Sequence, residues 1–259
     1  MTGTLAEIFL VFVGLIAGLI DSVAGGGGLI TLPSISLVIG PGVDAIATNK
    51  CVGFTAAAVS FFVFLKNGFR STPGGWTYAL WVGTGAFTGS RLAHLIPTDW
   101  FVWILLATCP IILIFIWRRD FLLKLASHDH HTQVDEVAAK PAFILSGVIC
   151  GIYDGIWGPG GGTFMLLSLL LLVRLPLMPT LLITKLANTA SSGVALISFA
   201  QLGNVQWATG VLAASAAGLG AYVGTEFVSR QAARVLRPVL TVVVILLLMR
   251  VIVQFGPAS

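Results

Sequence analysis

Charge is what this sequence has least of. Asp, Glu, Lys and Arg make up 9% of its 259 residues, against about a quarter in a soluble domain, so there is too little polar surface to face water all round. The few basic residues form no stripe with interleaved aromatics. The formal net charge of +4 therefore reads as loop topology and not as nucleic-acid binding. Met1-Thr2-Gly3-Thr4 lacks the positive n-region of a signal peptide, so the first apolar run is expected to stay attached. Cysteine is scarce as well. Cys51, Cys109 and Cys150 lie in apolar segments without metal-ligand spacing and read as packed thiols. No histidine falls inside a span, and neither HExxH nor GxSxG occurs, which leaves an embedded enzyme without a nucleophile–base pair or a metal. No cofactor or metal is expected.

What is present is apolar sequence: 57% of residues are hydrophobic and the mean hydropathy is +0.99. The fold class is all-α, a polytopic membrane protein in contact with the lipid bilayer. Two glycine runs interrupt it, Gly25-Gly26-Gly27-Gly28 and Gly158-Pro159-Gly160-Gly161-Gly162. An interior glycine costs a helix about 0.5–1 kcal/mol relative to alanine and proline roughly 3, so the helix stops at each. Broken backbone inside a membrane is tolerated where it meets protein or a cavity. Paired breaks in corresponding halves point to a transporter's site. No Walker lysine–serine pattern or Rossmann setting accompanies either run.

In chain order, the apolar pieces cover Leu5 to Ile20, Leu29 to Ile39, Val43 to Leu65, Trp76 to Ala93 and Trp100 to Trp117. Residues 118–140 form the one long polar stretch, with His128, His130 and His131 in a solvated patch. The second half then repeats the first. Gly25, Gly27 and Gly28 recur as Gly158, Gly160 and Gly161, and Asp21 as Asp154, at an offset of 133. Lys50 recurs as Lys185, Gly68 as Gly203, and Gly85 and Gly89 as Gly220 and Gly224, at an offset of 135. If each glycine-broken region is a hairpin that enters and returns, Lys66, Arg70, Arg118, Arg119, Lys124, Lys140, Arg174, Arg230, Arg234 and Arg237 share one side and Arg91 stands opposite. Ten against one is the asymmetry of cytoplasmic loops. The expected organisation is two inverted repeats of about four spans each, each with a glycine-broken helical hairpin. A first transmembrane repeat covers 1–117, a polar cytoplasmic linker 118–140, and a second repeat 141–259, with both termini outside.

An ionisable residue within a span costs roughly 2.5–3.5 kcal/mol to insert, so its default reading is functional. Lys50 and Lys185 sit at matched positions beside polar neighbours: Asn49 before Lys50, Thr184 before Lys185, and Asn188 one turn on. Helices starting after the glycine turns add free N–H groups. With Gly25, Gly26, Gly27, Gly158, Gly160 and Gly161 these residues form a candidate site made almost wholly of donors, suited to a small oxyanion. Two other readings remain open for the lysines: snorkelling to the interface, or pairing with Asp21 and Asp154. In the pairing case, neutralising Lys50 together with Asp21 restores the balance. Asp21 and Asp154 are candidates for carrying a coupling proton or for bracing the glycine turns. Trp157, Phe54 and Phe164 read as packing residues with an apolar pocket wall as the alternative, and Glu226 as interfacial.

The run Asp21-Ser22-Val23-Ala24-Gly25-Gly26-Gly27-Gly28-Leu29-Ile30-Thr31-Leu32-Pro33 with Ala47-Thr48-Asn49-Lys50 resembles the sulfite exporter TauE/SafE family of membrane transporters. So does Tyr153-Asp154-Gly155 through Gly158-Pro159-Gly160-Gly161-Gly162-Thr163-Phe164, followed by Thr184-Lys185-Leu186-Ala187-Asn188. The likeness covers nearly the whole chain outside the 118–140 linker. Asn49 departs from the hydroxyl residue common at its position, and Thr184 is its counterpart. The resemblance implies transport of a sulfur-containing anion, such as sulfite, thiosulfate or an organosulfonate, across the bacterial cytoplasmic (inner) membrane, in either direction. Partners would be that anion and lipid, without nucleic acid and with a homodimer left open. An anion channel shares the same lysines and is the alternative; an embedded enzyme is a weaker one.

Overall fold

The computed structural model describes residues 3–95, 97 and 140–229, without the side chains of 23 and 24. Every element in it is helical. The first half contains α1 (Gly3–Ala24), α2 (Gly28–Ile39), α3 (Val43–Lys66), α4 (Pro73–Leu92) and a 3-10 turn at Ala93–Leu95. The second contains α5 (Pro141–Ile156), α6 (Gly161–Leu171), α7 (Leu177–Gln201) and α8 (Trp207–Ser229). The first four helices match the apolar pieces read from the sequence to within a few residues. The Trp100 to Trp117 run, Cys109, the histidine patch and the linker up to 139 lie outside the described residues, as do Arg230, Arg234 and Arg237.

Positions matched in sequence end their helices alike. Gly68 and Gly203, matched at offset 135, both stand at positive φ (89° and 77°). In each case the residue after the glycine bonds back to the helix. Phe69 N–H donates to the Phe64 carbonyl (3.1 Å) and Asn204 N–H to that of Phe199 (3.1 Å), which satisfies carbonyls the helix end would leave open. The starts are local too: Pro73 and Pro141 occupy the first turns of α4 and α5, where a missing N–H costs nothing.

α1, α3, α7 and α8 are long and apolar enough to cross a bilayer, and α4 has the length at 20 residues. α2 and α6 do not, with 12 and 11 residues. At 1.5 Å per residue they reach about 16–18 Å, roughly half the hydrocarbon core. After Asp21 the chain turns back, so a Cβ on Gly27 would lie 2.6 Å from the Ala17 carbonyl oxygen.

α3 and α7 pack antiparallel, with Asn204 Nδ2, just past the end of α7, donating to Asp44 Oδ1 at the start of α3 (2.8 Å) and Gly53 lying against Ser192. α7 lies beside α4 in the same sense: Gly75 faces Ile183, Gly83 faces Val194, and Arg91 donates to Gln201 (3.4 Å). α8 lies beside α3 in the same sense, from Gln206 N–H donating to Thr48 Oγ1 (3.0 Å) to Lys66 Nζ donating to Tyr222 OH (3.2 Å).

The repeats also exchange helices. Gly14 and Gly18 of α1 lie against the Ala213 and Ala217 carbonyls of α8, and Gly220 and Gly224 of α8 against Leu15 and Leu19. The same construction joins α5 to α4, where Gly151 and Gly155 meet Val82 and Ala86 and Gly85 and Gly89 meet Val148 and Ile152. A methyl group at any of these glycines would meet backbone, so both are small-residue crossings that let helix axes approach closely. Both α4–α5 and α1–α8 run parallel. Lys66, Arg70, Lys140 and Arg174 consequently lie toward one end of the bundle, where Phe69, Phe143, Leu175 and Val228 pack together. Arg91 lies toward the other end, beside Gln201.

Candidate functional site

The two glycine turns meet each other. Gly25 stands at φ +71°, and a Cβ there would be 2.6 Å from the Gly162 carbonyl carbon. A Cβ on Gly28 would be 3.3 Å from Pro159 Cα. On the other side Gly158 (φ +96°) and Gly160 (φ +76°) make the turn into α6, closed by Gly161 N–H donating to the Gly158 carbonyl (2.8 Å). Gly26 differs from the rest: nothing lies within 3.7 Å of its Cβ position.

Each turn is held by the aspartate before it and the lysine of the other repeat. Asp21, near the end of α1, accepts from Gly27 N–H through Oδ1 (3.3 Å), and its carbonyl accepts from Gly25 N–H (2.9 Å). Lys185 of α7 reaches across to donate to Asp21 Oδ2 (3.0 Å) and to the Asp21 carbonyl. The second half repeats this with roles exchanged. Lys50 of α3 donates to Asp154 Oδ2 (3.0 Å) and to the Asp154 carbonyl. The relative exposures are 2% for Lys50, 1% for Lys185, 4% for Asp21 and 2% for Asp154. Both lysines are thus paired, and neither snorkels. The pairing runs between repeats, which corrects the within-repeat neutralisation of Lys50 with Asp21: the partner of Lys50 is Asp154.

The neutral shell is not symmetric. Thr31 of α2 donates to Asn49 Oδ1, whereas Phe164 stands at the Thr31 position of the second repeat and packs on Tyr153 (centroids 4.7 Å apart). The Thr184 hydroxyl, counterpart of Asn49, is buried without a hydrogen-bond partner among the described residues. Asn188 directs its amide nitrogen to the second turn, 3.3 Å from the Cβ position of Gly162. Ser191 donates to Asp154 Oδ2, and Ala56 stands at its matched position in the first repeat. Sequence reasoning passed over Thr31 and Ser191. Ser191 had a signal, since it continues the three-residue spacing of Lys185 and Asn188 along one helix face.

Chemically, the arrangement is a neutral quartet of two cations and two anions set beside two broken-helix turns. Each ammonium has three donors and spends two on an aspartate, which leaves one each, with the Thr184 hydroxyl beside Lys185 in sequence. Groups of three or more His, Cys, Asp or Glu able to hold a metal are absent among the described residues.

The description of the sulfite exporter TauE/SafE family matches residues 10–251 of the chain. Curated relatives include a "Probable membrane transporter protein ORF9" of Sinorhizobium sp., 32% identical over 94% of this chain and 91% of its own length. "Probable membrane transporter protein YfcA" of Escherichia coli K12 is 29% identical, covering 90% and 85%. A "Probable membrane transporter protein" of Haemophilus influenzae is 27% identical, covering 94% and 93%. No solved structure matches the chain.

Proposed function

We propose, from the premise that this chain belongs to the sulfite exporter TauE/SafE family and is a membrane transporter, that it moves a small sulfur-containing anion across the bacterial cytoplasmic membrane by alternating access. Sulfite, thiosulfate and organosulfonates are the candidate cargo. The observation that carries this reading is the meeting of two glycine turns, one from each half, beside two buried Lys–Asp pairs. The anion would sit against Lys50, Lys185, Thr184, Asn49 and Asn188, with the turns supplying backbone donors. Transport leaves its cargo chemically unchanged, and Cys51 and Cys150 are buried free thiols.

The decisive test is a binding screen on folded, detergent-purified protein against sulfite, thiosulfate, sulfate, and aliphatic and aromatic sulfonates. At least one should bind saturably, and vesicles loaded with it should show counterflow. Counterflow separates a carrier from a channel. Binding by none of these anions would end the reading.

The inverted arrangement draws support from helix sense. α7 lies antiparallel to its match α3, α4 follows α7, and α8 follows α3, so matched helices point in opposite directions. The positive-inside rule then puts Lys66, Arg70, Lys140 and Arg174 in the cytoplasm. Single cysteines at Asn67 and Arg174, in a background without the native ones, should be shielded from an impermeant reagent in intact cells, and one at Asn204 should react. Reaction at Asn67 with shielding at Asn204 would invert the orientation; the same response at Asn67 and Asn204 would remove the inverted repeat.

A further inference from the structure

Among the described residues, Asp21, Lys50, Asp154 and Lys185 are the only buried charged side chains. Their formal charges cancel. An anion that enters this quartet adds a negative charge the buried cluster has nothing left to balance, and an unbalanced charge in a low-dielectric interior is expensive. The charge must be met by something that comes in with it.

Resting on the reading of the quartet as the anion site, we infer that the anion is taken up together with a proton, and that Asp154 is where the proton goes. The exchange is balanced. Lys50 Nζ leaves Asp154 Oδ2 and donates to the anion, a proton from the aqueous phase bonds to the freed carboxylate oxygen, and no electron pair moves elsewhere. One proton enters with a bound monoanion, so the quartet and its cargo together are again neutral.

The choice of Asp154 over Asp21 comes from their neutral partners. Oδ2 of Asp154 faces the Ser191 hydroxyl, which donates to a carboxylate and turns to accept from a carboxylic acid. Asp154 therefore keeps a hydrogen bond in both protonation states. Asp21 Oδ1 instead faces the Gly27 backbone N–H, a donor that cannot reverse. The surroundings of Asp154 supply no competing charge. α3 presents Lys50 and α7 presents Ser191 and Lys185, the latter paired to Asp21. α6 carries no ionisable residue. On α5 itself Cys150 lies one turn back, with its thiol directed to Ser168 (3.6 Å), and Tyr78 of α4 shares that serine (3.1 Å).

Calorimetric titration of the purified protein with ethanesulfonate, benzenesulfonate and thiosulfate, each in two buffers of different ionisation enthalpy, counts the protons directly. A bound sulfonate should carry in about one proton, and wherever it does so its affinity should weaken about tenfold per pH unit as pH rises, the slope that one linked proton imposes. In Asp154→Asn, sulfonate binding should proceed without proton uptake and without that slope. Sulfonate binding with no proton uptake in the wild type, or only in the presence of sodium, overturns the coupling and leaves the anion site standing. Uptake that persists at about one proton in Asp154→Asn overturns the assignment of the carrier. The wild-type count stands by itself if that variant does not fold. Failure of these anions, sulfite and sulfate to bind at all ends the site reading and this proposal with it.

Discussion

Lys50→Met is expected to cost the folded protein about 3–5 kcal/mol, because it leaves Asp154 as an unpaired buried carboxylate. Adding Asp154→Asn should recover most of that loss, and adding Asp21→Asn should not. The distinction follows from geometry: Lys50 Nζ is 3.0 Å from Asp154 Oδ2, whereas Asp21 belongs to Lys185. Thermal unfolding in detergent of the single and the two double variants measures it. Equal rescue by either asparagine would mean that the quartet acts as a diffuse charge balance and not as two defined pairs. The rescued Lys50→Met, Asp154→Asn protein then separates structure from recognition. If the lysine is an anion ligand, worth about 1.5–3 kcal/mol as a charge-assisted hydrogen bond, this protein folds and binds roughly 10- to 150-fold more weakly. Wild-type affinity in it would remove Lys50 from the site.

Gly25→Ala should abolish transport, with Gly26→Ala losing far less. Gly25 combines a left-handed φ of +71° with a Cβ position 2.6 Å from Gly162. The conformation costs an alanine roughly 1–2 kcal/mol, and the overlap must push the two turns apart. At Gly26 the backbone is ordinary and the nearest atom is 3.7 Å away. Counterflow in vesicles, normalised to the amount of inserted protein, gives the comparison. Equal activity in the two variants would detach the contact between the turns from the transport cycle. A bulkier Gly26→Leu tests whether the space beside that position is needed, and Gly25→Ala tests the contact between the turns.

Much of the plan was legible because membrane sequence is constrained by period and punctuation. The glycine runs end helices for reasons that need no tertiary information. Gly68 and Gly203 were legible as a matched pair, and both stand at positive φ just past a helix end. Lys50 and Lys185 stood out because charge in a span is costly. Partner choice was not legible. Asp21 is 29 residues from Lys50 and 164 from Lys185, and nothing in spacing says that the longer reach wins. It wins because the crossings carry α1 to the far repeat, which depends on carbonyls meeting glycines across chain distances that no local pattern encodes. Gly14, Gly18, Gly147 and Gly151 are legible as small-residue spacing, but the helix each face seeks is not. The unequal neutral shells were hidden for a related reason. Ser191 and Ala56 are each ordinary in a span, and their difference matters only once Asp154 is seen beside one of them.

The crossing of α1 with α8 also has a consequence in time. A chain made at about 5–20 residues per second completes α8 on the order of ten seconds or more after α1 has emerged. Throughout that interval the face carrying Gly14 and Gly18, with the Leu15 and Leu19 carbonyls beside it, faces lipid or another helper and not the surface that finally covers it. α4 and α5 are closer in sequence and meet sooner. Assembly is therefore ordered, with the inner crossing closing first and the earliest helix docking last. A half-length chain ending after the first repeat would expose an unclaimed glycine face on α1 and another on α4, and the second half supplied as a separate chain carries the surfaces that fit both.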